Sequence, residues 1–126
     1  MDVMIEVPFE NQDALEFMII PETLGHKIKK AFGHLEEIEV GKSDFDAKFL
    51  VRGNDEGKIK SLFSKPHIRE FLLNQRSLGL QLTPTSLNFY TILYIGSFDH
   101  LKVIYDGFSE ILNELCLMDS GYENQV

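Results

Sequence analysis

The chain has 126 residues, with 12 Lys and Arg against 20 Asp and Glu for a formal net charge of −8, and 44% of it is hydrophobic. That length supports one domain able to bury a core without disulfides or metal, and the composition excludes intrinsic disorder. A single cysteine, Cys116, excludes an intramolecular disulfide scaffold and the multi-cysteine zinc modules, while the acidic balance argues against nucleic acid or anionic membrane as a non-specific partner.

From the N-terminus, Val3, Ile5, Val7 and Phe9 alternate with Met4, Glu6 and Pro8. This predicts a half-buried strand whose proline marks a sheet edge. After a polar turn over residues 10–13, Leu15, Phe17 and Ile19 resume the alternation, and the two runs read as an antiparallel hairpin. Pro21 ends the second strand, and residues 22–32 read as a helix with Leu24, Ile28, Ala31 and Phe32 on one face, stopped by Gly33. Residues 36–40 suggest a short strand and Gly41-Lys42-Ser43 a turn. A strand over residues 44–52 then points Phe45, Ala47, Phe49 and Val51 one way.

Gly53-Asn54-Asp55 punctuates strand and helix, with Asn54 or Asp55 placed to cap the free N–H groups of the next turn. The following helix turns Ile59, Leu62 and Phe63 inward. Pro66 opens another, which buries Ile68, Phe71 and Leu72. Leu78, Leu80 and Leu82 alternate as a strand, residues 83–86 turn the chain, and a strand over residues 87–96 is apolar on both sides late in its course, as an interior strand is. Asp99 caps a last helix over residues 100–118, with Leu101, Ile104, Phe108, Ile111 and Leu115 as its buried stripe and Val103, Leu112 and Cys116 widening it. The tail 119–126 is polar and frayed. The expected fold is a single α+β domain over residues 1–126: a mostly antiparallel sheet of about five strands, helices on one face, and a long C-terminal helix.

No basic n-region precedes an apolar core at the start of the chain, so no secretory signal is read there. The uncharged run from Ser77 to Phe98 is broken by Gln81, Thr83, Pro84, Thr85, Ser86 and Asn88, and reads as two strands and a turn rather than a membrane span. Cytoplasmic location is the expectation, with membrane association only if a longer parent chain carries an anchor.

The charge is unevenly spread. Residues 1–25 hold six acids and no base, and residues 58–76 hold Lys58, Lys60, Lys65, Arg69 and Arg76 against Glu70 alone. Those five bases could meet an anionic partner, although the solvated faces of two amphipathic helices, balanced by acidic neighbours, account for them more simply. Asp44 and Asp46 share a face if they lie on a strand, and with Glu36, Glu37 and Glu39 they could supply oxygen ligands to calcium or magnesium. The offsets of a calcium-binding loop are absent, however. His26, His34, His67 and His100 show no metal-ligand spacing, Cys116 reads as a small hydrophobe, and no nucleophile elbow, phosphate loop or dinucleotide fingerprint occurs. No catalytic residue, metal ligand or cofactor is assigned.

The stretch Ile38-Glu39-Val40-Gly41-Lys42-Ser43-Asp44-Phe45-Asp46-Ala47-Lys48-Phe49-Leu50-Val51-Arg52-Gly53-Asn54-Asp55 resembles the FD-x-x-F-x-V-x-G-N-D segment of an uncharacterised bacterial protein family, and Lys58 to Leu73 is similar to the helix that follows it there. The resemblance covers roughly residues 14–117 and is specific only over the short FD-to-GND segment. Members often carry an N-terminal hydrophobic segment or extra strands ahead of this domain, so the resemblance implies a short member or a trimmed piece of one. It implies no activity, and a structural use for Phe45, Asp46, Phe49, Gly53 and Asp55 as apolar anchors, strand end, turn and cap.

The leading functional expectation is a non-enzymatic domain that binds another protein or a second copy of itself. Tyr90, Ile92 and Tyr94 of the uncharged hairpin would be the partner surface if they face outward. The alternatives are a carrier with an apolar cavity for a small ligand, and a hydrolase-type enzyme with an acidic site around Asp44 and Asp46.

Overall fold

A computed structural model describes residues 2–24, 34–92 and 98–118. Six strands, β1 (Asp2–Pro8), β2 (Phe17–Pro21), β3 (Glu36–Glu37), β4 (Phe49–Gly53), β5 (Gly79–Leu82) and β6 (Ser86–Ile92), form one antiparallel sheet in the order β1-β6-β5-β2-β4-β3. Among the described residues, four α-helices accompany the sheet: α1 (Ser43–Lys48), α2 (Glu56–Phe63), α3 (Pro66–Leu73) and the long α4 (Phe98–Met118). The α+β class, the antiparallel sheet and the long terminal helix match the sequence reading.

One sheet face carries Phe17, Ile19, Val51, Leu80, Leu82, Leu87 and Phe89, which join Ile59, Leu62, Phe63, Ile68, Leu72 and the Ile104, Phe108, Ile111, Leu115 stripe of α4 in a single buried cluster. Aromatic rings knit the layers. Phe63 meets Phe17 edge-on at 5.8 Å and stacks on Phe45 at 5.5 Å, and Phe89 lies 5.7 Å from both Phe71 and Phe108.

The expected β1–β2 hairpin is not formed. β1 pairs with β6 and β2 lies between β5 and β4, two strands further along the sheet. The chain between them wraps the end of the β5–β6 hairpin: the Phe9 N–H donates to Thr85 O at 2.9 Å and the Asn11 N–H to Pro84 O at 3.1 Å. Asn54 then fixes where the chain lands. Its amide donates to Ala14 O at 2.8 Å and accepts from the Glu16 N–H at 2.9 Å, and its own N–H donates to Glu16 O at 3.1 Å. Two runs of matching alternation specify two strands, but not that they are neighbours.

The strand expected over residues 44–52 begins late. Ser43–Lys48 is helical, and only Phe49–Gly53 joins the sheet. Phe45 and Phe49 satisfy a four-residue spacing as well as an alternating one, and their rings meet at 5.0 Å. The Asp46 carboxylate decides for the helix by accepting the Val40 N–H at 2.8 Å and the Gly41 N–H at 2.9 Å, where Gly41 sits at φ +92°. Asp44 and Asp46 therefore occupy one helical turn rather than one strand face.

Smaller differences follow. The strand over residues 36–40 is confined to Glu36–Glu37, with one further bond from the Ile38 N–H to Val51 O. Glu22–Leu24 forms a 3-10 turn; the rest of the helix expected to residue 32, with His26, lies outside the described residues, as do residues 93–97 with Tyr94 and the tail from 119. The final helix starts at Phe98, so Asp99 stands in its first turn rather than before it, and Leu101 and Val103 are exposed rather than in the buried stripe. The twenty-one residues of α4 extend for about 32 Å.

At the crossing of α3 and α4, a Cβ on Gly107 would lie 2.3 Å from the Phe71 ring. Gly107→Ala should therefore destabilise the fold by about 1–3 kcal/mol despite the better helix propensity of alanine. Urea unfolding checks this, and the loss should be smaller when the same change is made in a Phe71→Ala background.

Candidate functional site

β1 ends the sheet, and its two main-chain edges face different surroundings. The Phe9 to Thr85 bond sets the phase: Val7, Ile5 and Val3 share the direction of Phe9 and bond to β6, so the N–H and C=O groups of Asp2, Met4 and Glu6 point away from the sheet. Pro8 falls in the outward set, where its missing N–H costs no ladder bond. The side chains divide the same way. Val3, Ile5 and Val7 lie half-buried on the helix side, whereas Asp2, Met4, Glu6 and Pro8 are exposed.

The start of α4 lies beside β1. Val3, Ile5, Phe98, Leu101, Lys102 and Tyr105 line an open groove of about 430 Å³. Its apolar walls are uncovered: Phe98 is 84% exposed, Tyr105 67% and Leu101 43%, with Met4 at 81% on the neighbouring face. Phe98, Leu101 and Tyr105 recur at helical spacing, so α4 carries a second apolar stripe beside the buried one. The sequence reading missed this because Leu101 had been counted in the core stripe. The readable signal was that Phe98 and Tyr105, at three- and four-residue steps from Leu101, widen the apolar surface beyond what one core contact needs.

Tyr90 and Ile92 lie on the sheet face turned away from the described helices, opposite Met4 and Asp2 respectively in the register, and both are half-buried. Met18, Ile20, Gly79, Gln81, Asn88 and Tyr90 border a depression there of about 220 Å³, whose floor is open because Gly79 has no side chain. Burial first, and then the Asp2 carboxylate that accepts its hydroxyl, push the Tyr90 phenol above the usual tyrosine value.

Three lysines of the basic segment pair with carboxylates within the fold. Lys58 pairs with Asp13 at 2.6 Å, Lys60 with Glu56 at 2.8 Å and Lys65 with Glu114 at 3.5 Å, while Arg69 donates to Phe63 O at 2.8 Å. The Glu56 hydrogen bond and charge hold Lys60 above the usual lysine value. Arg76 contributes its main chain, whose carbonyl accepts from the Thr91 hydroxyl at 2.8 Å and the Ile92 N–H at 3.1 Å.

Several acidic residues serve the fold. Asp46 holds two amides, Asp44 accepts the Phe45 N–H at 2.8 Å and Asp55 caps α2 through the Lys58 N–H at 3.1 Å. His34 meets Glu16 and His67 meets Glu110, each at 3.3 Å, and Cys116 is half-buried. Among the described residues no group of three or more His, Cys, Asp or Glu could hold a metal ion. The cavity bordered by Phe9, Leu15, Leu82, Leu115 and Met118 is only about 10 Å³, the space of one water. No helix among the described residues is long and apolar enough to cross a membrane. No protein-family model, curated protein or solved structure matches the chain.

Two outcomes follow from these placements. Asp46→Ala should cost about 1–3 kcal/mol by orphaning two amides, read by thermal unfolding; a rise in Tm with millimolar calcium or magnesium in the parent but not in the variant would instead restore an ion site. Carbon-13 tyrosine spectra should show Tyr90 ionising above free tyrosine, and Asp2→Asn should lower its midpoint. Because the folded value is the higher one, whatever stability this group contributes is present below the unfolded pKa and lost as pH rises through the folded one.

Proposed function

We propose that this is a protein-interaction domain, and that its partner is an extended segment of a different polypeptide laid along the outer edge of β1. The observation that carries the reading is the coincidence, on one border of the fold, of outward main-chain groups that pair with no strand among the described residues and an open apolar groove. An unpaired strand edge supplies hydrogen bonds to any extended chain, and the pockets beside it choose among side chains. Added at β1, a seventh strand would bond to Asp2, Met4 and Glu6 and turn alternate side chains onto Phe98, Leu101 and Tyr105. Met4 and Tyr90 would flank its other face, which brings the expected Tyr90 surface into the same border.

Peptides selected from a random display library on the immobilised domain provide the test. They should shift the amide resonances of Asp2, Met4 and Glu6. Met4→Pro removes an outward N–H and leaves the β1–β6 bonds in place; Phe98→Ser with Leu101→Ser strips the groove. Each should weaken binding about tenfold or more, the loss of one or two interface contacts, with folding preserved. Selected peptides that shift other residues, and bind both variants as tightly as the parent, would overturn the reading.

A further inference from the structure

We infer that the segment taken up along β1 is basic, with Lys or Arg at every second position and large apolar residues between them; this rests on β1 being the docking edge. Of the residues whose main-chain groups point outward, Asp2 and Glu6 carry acids on the face turned from the helices. A strand added there sets its own side chains on that face directly opposite or diagonal to them, at distances where opposite charges attract and like charges repel. Residues 1–25 include six acids and no Lys or Arg, so the border they form is rich in negative charge.

The intervening residues of the added strand turn toward α4, where Phe98, Leu101 and Tyr105 offer apolar surface and the Lys102 ammonium disfavours a second cation. The two faces of the docking edge thus demand different chemistry with a period of two.

A second copy of this chain has the alternation but the wrong sign. In the two-fold register that uses every outward amide, Met4 pairs with Met4 of the copy, and Asp2 stands opposite Glu6 on both sides of the axis. Exposed charge and proline are how strand edges avoid indiscriminate pairing, and here the charge also selects.

Three synthetic peptides with identical apolar positions, and Lys, Gln or Glu at the alternate ones, test this by calorimetry and amide shifts at low salt. The Lys peptide should bind about tenfold or more tightly than the Glu peptide, lose that advantage at high salt, and yield it to the Glu peptide on an Asp2→Lys, Glu6→Lys variant. Equal binding of all three, with shifts at Asp2 to Glu6, would overturn the charge inference and leave the docking reading standing. No shift at those amides with any peptide would overturn both. A dimer in sedimentation whose β1 amides are already protected from exchange would make a second copy the occupant, and overturn the inference.

Discussion

The fold depends on how the end of β4 meets the chain entering β2. At Gly53 a side chain has no room, since a Cβ would lie 2.0 Å from the Ile59 methyl and 3.1 Å from Glu16 O. Asn54, next along, spends its amide on the main chain of Ala14 and Glu16, and Asp55 caps α2. Three consecutive residues therefore end a strand, receive a second strand and start a helix. Fixing residues 14–16 there commits β2 to the gap between β4 and β5, and β1, on the far side of the wrapped hairpin, is left at the border of the sheet. The proposed docking edge is thus a consequence of a packing constraint on the opposite half of the molecule.

The same constraint accounts for the segment around it, residues 38–55. Phe45 and Phe49 are buried anchors, Asp46 binds the turn at Val40 and Gly41, and Gly53, Asn54 and Asp55 form the junction. Each side chain is occupied by the fold. This separates the most distinctive stretch of sequence from the surface proposed to act on a partner, which is made of ordinary residues: an alternating acidic strand and three apolar residues on a helix.

Periodicity carried most of the fold. The β1, β5 and β6 alternations, the inner faces of α2 and α3 and the Ile104 to Leu115 stripe of α4 all follow from spacing, because burial on one side of an element imposes it. What spacing could not convey was pairing. The β1–β2 hairpin was the economical reading of two adjacent alternating runs, and it failed on side-chain bonds from Asn54, some forty residues distant. Asp44–Arg52 misled for a related reason: Phe45 and Phe49 fit two periods, and a carboxylate bonding to amides five and six residues earlier chose between them. For the candidate site, the sequence offered Tyr90 only on the condition that it faced outward, whereas Phe98, Leu101 and Tyr105 were hidden by the assumption that one helix has one apolar face.

The phase of β1 has an evolutionary consequence. Its odd-numbered residues bond to β6 and pack toward the helices, while its even-numbered residues send both main chain and side chain outward. Stability and surface chemistry are written in alternate letters of the same seven-residue word. Changes at positions 2, 4 and 6 can accumulate without disturbing the interior, so a domain of this build could exchange one clientele for another through a handful of substitutions in a single strand.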